Sequence, residues 1–140
     1  MEITINEIKP SSVYQGRAYT QTVIATLPDG ETVQVDDFGM EATDEDIDDV
    51  VEAKIRGLSV QLPTINNGQC RKIEPTERQY VNIYGQVIEV FTTGDCQLLV
   101  DIGDGQIEVG LGDIELGDIE VGDWIKVPLV DLLLDEIKRN

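Results

Sequence analysis

The chain has 140 residues and a mass of 15.5 kDa, with 28 acidic residues against 10 basic ones and a formal net charge of −18. It contains no histidine, which removes an imidazole base, a Ser–His triad and His metal ligands; its two cysteines are too few for a four-thiolate zinc site. A composition 41% hydrophobic and 27% charged belongs to a folding chain rather than a disordered one, with length for one ordinary domain or two small ones.

The start, Met1-Glu2-Ile3-Thr4-Ile5-Asn6-Glu7, lacks the basic and apolar regions of a signal peptide. No run of about 18 apolar residues occurs, so no membrane span is expected, and anionic lipid repels so acidic a surface. These features point to the cytoplasm, where Cys70 and Cys96 are expected as free thiols. The acidity is even: residues 1–70 hold 13 acids and 4 bases, residues 71–140 hold 15 and 6. It is a property of the whole surface rather than of a tail.

The first strong pattern has period two. Tyr19, Val23, Ala25 and Leu27 alternate with threonines, Pro28-Asp29-Gly30 follows, and Thr32-Val33-Gln34-Val35 continues, which predicts a hairpin. Thr43-Asp44-Glu45-Asp46 has the makeup of a helix start, with acids suited to the positive end of the dipole. The predicted helix covers about 44–52, with Ile47, Val50 and Val51 inward, and a strand is expected over Ala53 to Leu62. Pro63, Asn66-Asn67-Gly68 and Pro75 mark turns or a linker. The expected organisation is therefore a first barrel-like half at 1–65, a connection at 66–78 and a second half at 79–140.

In the second half Tyr80 to Phe91 alternates, with Gly85 marking a bulge or bend. Gln97 to Ile102, the turn Gly103-Asp104-Gly105 and Gln106 to Leu111 predict a second hairpin. Gly112-Asp113, Gly117-Asp118 and Gly122-Asp123 read as consecutive turns feeding a strand from Trp124 to Val127. Pro128 then opens a second predicted helix, with Leu129, Leu132, Leu133 and Ile137 at helical spacing and Lys138-Arg139 at its negative end.

The segment Val121-Gly122-Asp123-Trp124-Ile125-Lys126-Val127 resembles the strand start common to small β-barrels, including OB-fold domains. That resemblance implies a fold class and no activity. The expected fold is mainly β, one or two small OB-like β-barrels with two short helices, and the shared order of elements in the two halves suggests a diverged duplication.

Motifs for chemistry fail on their own terms. Asp44, Asp46 and Asp48 match alternate positions of a calcium loop, but Asp49 stands where Gly is needed and Ile55 where Glu is needed. Leu98-Leu99-Val100-Asp101-Ile102-Gly103 resembles the apolar-Asp-Thr-Gly segment of retroviral-type aspartic proteases, with Ile102 in place of the hydroxyl residue. The glycines from Gly103 to Gly122 lack phosphate-loop spacing and interleave with acids. No catalytic pair, metal site or cofactor is singled out.

Two binding surfaces stand out instead. Asp36 to Glu52 holds nine acids and no base, and Asp44, Glu45, Asp48 and Asp49 are expected to project from a helix toward a basic protein partner. Tyr80 and Tyr84, beside Arg71, Lys72 and Arg78, form the candidate face for single-stranded nucleic acid, against an unfavourable overall charge. A non-enzymatic binding or adaptor protein is the leading expectation, a nucleic-acid-binding barrel the second and a carboxylate- or metal-dependent enzyme the third. The acidity fits adaptation to high salt as well as a binding surface, and the oligomeric state is left open.

Overall fold

Apolar and β-branched residues at every second position generate the architecture. The computed structural model describes residues 1–77 and 80–138; Arg78 and Arg139 lie outside the described residues. The strands are β1 (Glu2–Tyr14), β2 (Arg17–Thr26), β3 (Thr32–Asp37), β4 (Val50–Leu58), β5 (Thr64–Ile65), β6 (Lys72–Pro75), β7 (Val81–Val90), β8 (Leu98–Asp101), β9 (Gln106–Gly110), β10 (Trp124–Leu129) and β11 (Asp131–Lys138). Helix among the described residues is limited to one 3-10 turn, Asp44–Asp46.

All eleven strands belong to one sheet. β1, β2 and β3 form an antiparallel meander. β3 meets β11 in parallel, β11 runs antiparallel to β4, and β4 returns antiparallel to β1, closing a ring through five strands. β4 continues beyond this ring to pair in parallel with β9, which leads through β8 and β7 to β10 and β5, with β6 also on β7. Val130 alone separates β10 from β11, and its N–H donates to the Leu58 carbonyl at 2.8 Å. A second circuit, β7–β8–β9–β4–β11–β10, is thus completed through the chain itself.

The pairings treat the two halves alike. Each supplies a three-strand meander and then a long strand, β4 in one case and β10 with β11 in the other. That long strand first pairs with the first strand of its own meander and then with the third strand of the other. The buried side chains form one cluster, in which Ile3, Ile5, Val23 and Ile55 join Ile83, Leu98, Ile107 and Ile125.

Both predicted hairpins form. Gly30 and Gly103 turn them at φ of +93° and +94°, a region that favours glycine. Asp29 and Asp101 brace the turns, accepting from the Glu31 and Gly103 N–H groups at 2.9 and 2.8 Å. Ile107, Val109 and Leu111 are buried together, as their alternation requires.

Both predicted helices are overturned. After the 3-10 turn the chain enters β4 at Val50, ahead of the expected strand start at Ala53, and leaves it at Leu58. Val51, Ala53 and Ile55 are buried at every second position, and the open edge of β1 takes up residues 50–52. The stretch after Pro128 is the end of β10 followed by β11. Leu132, Leu133 and Leu134 are all buried because β11 lies between β3 and β4. A short apolar run of that kind does not distinguish a buried strand from a buried helix by spacing. Among the described residues no helix is long and apolar enough to cross a membrane.

Candidate binding surfaces

The acidic segment is built around two inward carboxylates. Asp37 ends β3 fully buried. It accepts from the Glu41 N–H at 2.9 Å, the Ala42 N–H at 2.9 Å and the Gln21 Nε2 at 2.7 Å, while Gln21 also donates to the Ala42 carbonyl at 2.8 Å. Asp46, also buried, accepts from the Thr43 N–H at 2.8 Å and its hydroxyl at 3.2 Å. The Asp48 N–H donates to the Ile5 carbonyl at 2.6 Å and the Ile5 N–H to the Asp49 carbonyl at 3.1 Å. These bonds tie the turn to β1 and hold Asp48 at φ +70°.

Asp44, Glu45, Asp48 and Asp49 are exposed on this turn. They share a tight turn rather than the helix face that the sequence suggested. Spacing did not single out Asp37 and Asp46 as its supports, and their run of neighbouring acids conceals them.

A cationic and aromatic face lies on β6, β7 and β10. Lys72 pairs opposite Tyr84 across β6 and β7, and Lys126 opposite Tyr84 across β10 and β7. Their ammonium groups lie 4.8 and 5.7 Å from the Tyr84 ring centroid. The Arg71 guanidinium sits 4.4 Å from the centroid of Trp124, donates to Gln86 at 3.2 Å and pairs with Asp101 at 3.3 Å. Glu74 accepts from Lys72, Asn82 and Tyr84, each at 3.4 Å. The hydrogen bond from Asn82, opposed by desolvation and assisted by Lys72, lowers the Glu74 carboxyl below its usual range. The bond to Glu74 raises the Lys72 ammonium.

Tyr84 is half-buried, and Tyr80 is 43% exposed just before β7. Of the sequence candidates, the fold brings Lys72 onto Tyr84 and Arg71 onto Trp124, while Arg78 lies outside the described residues. Glu74, Asp101 and Gln86 were missed, because only the registers of β6 and β8 on β7 show them beside these cations.

Cys70 and Cys96 are both free thiols. Burial, with Glu108 adding to it, pushes the Cys96 thiol up. Among the described residues no three Cys, Asp or Glu side chains converge as a metal-holding group.

Asp131, at the start of β11, forms a carboxyl pair with Asp36 of β3. Burial first, then the hydrogen bond and charge of Asp36, push Asp131 up to about 7, against a smaller lowering by the Leu132 backbone. An acid with its folded value raised stabilises the fold when protonated, and this stabilisation disappears as pH rises through the folded value. Asp131→Asn is therefore expected to melt above the parent at about pH 8, with the difference shrinking toward about pH 5. Melting curves across that range check it, and a difference constant with pH would show that the pair shares no proton.

No family model, no curated protein and no solved structure matches the chain. The residues themselves define a mainly β protein with an acidic turn on one strand edge and a cationic, aromatic face on another part of the sheet.

Proposed function

We propose that this chain is a non-enzymatic binding protein of the cytoplasm that recognises a basic surface on another protein through the turn from Thr43 to Asp49. One observation carries the reading. Asp37 and Asp46 are turned inward to support the backbone, and Asp44, Glu45, Asp48 and Asp49 are left in solvent upon it. Carboxylates fixed in advance meet a cationic partner with little ordering cost and speed encounter. The five-strand ring supports an OB-like reading of the fold, and the matched pairings of the two halves support duplicated units at 1–65 and 79–140.

The test uses a Lys- and Arg-rich peptide as probe. Asp44→Asn, Glu45→Gln, Asp48→Asn and Asp49→Asn combined are expected to slow its association, with melting unchanged or slightly raised as like charges are removed. If the quadruple variant associates as fast as the parent at low salt, the turn is only a solvated surface.

A second reading rests on the cations around Tyr84 and Trp124, since aromatic stacking beside positive charge is how single strands are held. Tight oligonucleotide binding lost on Tyr84→Ala would move the assignment to that face.

A further inference from the structure

The ring through β1, β2, β3, β11 and β4 has one thin junction. β3 meets β11 at a single rung, Leu133 beside Asp36, whereas each of the other four junctions has three rungs or more. The Asp36–Asp131 carboxyl pair stands across that thin junction, and both residues are half-buried. Asp37, which anchors the acidic turn, is the next residue of β3. Parting β3 from β11 therefore disturbs the carboxylate that holds the Glu41 and Ala42 N–H groups.

The charged groups around the pair leave it uncompensated among the described residues. On β4, Leu58 lies opposite Asp131, and Arg56 is paired instead with Asp135 at 3.3 Å. On β2, Thr22 lies opposite Asp36 and donates its hydroxyl to it at 3.4 Å. Lys9, the next position of that row on β1, pairs with Glu7 at 3.8 Å and stands two strand spacings from Asp36, roughly 10 Å. Asp37 is buried on the other side of β3. With a proton between them the two carboxyls attract; with both ionised they repel, at the one rung that joins β3 to β11. The chain has no histidine, so the usual sensor near neutral pH is missing.

We propose that the Asp36–Asp131 pair is a pH-sensitive latch on the acidic turn: protonated, it holds β3 to β11 and keeps the turn fixed, and ionised, it parts the rung and loosens the turn. Its control of binding rests on the reading of that turn as the partner site. Opening returns the Asp131 carboxyl, raised to about 7 in the closed pair, toward the ordinary aspartate range. Opening therefore becomes easier by up to about tenfold for each pH unit above about 4, and levels off above about 7. The Lys and Arg side chains of a basic partner keep their charge across that range, so a change in binding there reports on the latch and not on the partner.

Amide hydrogen exchange of the full chain, corrected for the intrinsic rate at each pH, tests the latch. From about pH 5 to about pH 8 the parent is expected to lose about tenfold or more of its protection at Ala42 and at the β3–β11 rung. Val100, in β8 between β7 and β9, should keep its own. Asp131→Asn should abolish the loss, and Asp36→Asn should lessen it, because burial still acts on Asp131. A Lys- and Arg-rich peptide should dissociate faster from the parent at about pH 8 than at about pH 5, and at one rate from Asp131→Asn. Protection at Ala42 that stays level in the parent, or falls equally in Asp131→Asn or at Val100, overturns the latch. The expected exchange with a peptide that dissociates from the parent at one rate overturns its control of binding. A peptide that binds at neither pH removes the partner reading instead, and the exchange then decides the latch by itself.

Discussion

Gly85→Ala is expected to destabilise the protein by about 3 kcal/mol or more, beyond the usual range of overpacking. Gly85 lies on the core side of β7, in step with the buried Val81, Ile83 and Val87. A Cβ built there overlaps the Asp101 carbonyl oxygen and lies 2.9 Å from both the Asp101 carbonyl carbon and Val100 Cγ1. The obstruction is β8 backbone, which is held by β7 on one side and β9 on the other. It cannot rotate away, so two central strands must separate. Against a total stability of about 5–15 kcal/mol, that loss should shift the urea midpoint sharply. Gly57 provides the control. A Cβ there meets Leu129 Cδ1 at 2.5 Å, the end of a flexible side chain, so Gly57→Ala should cost about 1 kcal/mol. Equal losses for the two variants would show that the approach of β8 to β7 is not what demands glycine.

Gly85 also marks how far a sequence reading goes. Its interruption of the Tyr80 to Phe91 alternation was visible and suggested a bulge or bend there, but the register shift of β7 falls between Val87 and Glu89, and what Gly85 supplies is room for β8 rather than an unusual backbone angle. The neighbour responsible, Asp101, is 16 residues away and is reached only through the β7–β8 register. Local signals of the same kind located both hairpins, because alternation and an Asp-Gly turn are properties of adjacent residues. The two helices failed for a different reason. Thr43 to Asp46 does make a helix-like turn, but the unpaired edge of β1 offers residues 50–52 strand partners that propensity does not see. Leu129, Leu132, Leu133 and Ile137 match a helix face, but Leu134 is buried as well, because β11 lies between β3 and β4.

The binding surfaces divide along the same line. The concentration of acid from Asp36 to Glu52 was legible, since it is a matter of composition. Which carboxylates support the turn and which face solvent was not, since Asp37 and Asp46 differ from Asp44 and Asp48 only in where the chain bends. The fold brings Lys72 onto Tyr84, two residues that composition had already placed together, but Asp36 and Asp131 meet only because β3 and β11 become neighbours after 94 intervening residues have folded.

Asp37→Ala is the second change expected to weaken the fold severely, and it separates support of the acidic turn from its charge. The substitution leaves the buried Ala42 N–H and one N–H of the Gln21 amide without their acceptor, at about 1–3 kcal/mol each for buried unpaired donors; the other Gln21 N–H keeps the Ala42 carbonyl. The Glu41 N–H, which is only partly buried, can turn to water. Asp37→Asn keeps the shape and one acceptor oxygen, but it sets an amide NH2 against one of the remaining donors. Its expected loss is roughly half that of alanine. Urea denaturation measures both, and hydrogen exchange at Ala42 locates the damage. The same variants should slow association with the Lys- and Arg-rich peptide even though Asp44, Glu45, Asp48 and Asp49 keep their charges, because the backbone that aims them has lost its anchor. If Asp37→Ala melts with the parent, water has replaced the carboxylate. If it is destabilised yet binds the peptide at the parent rate, the turn needs only its net charge, and the preorganisation argument fails.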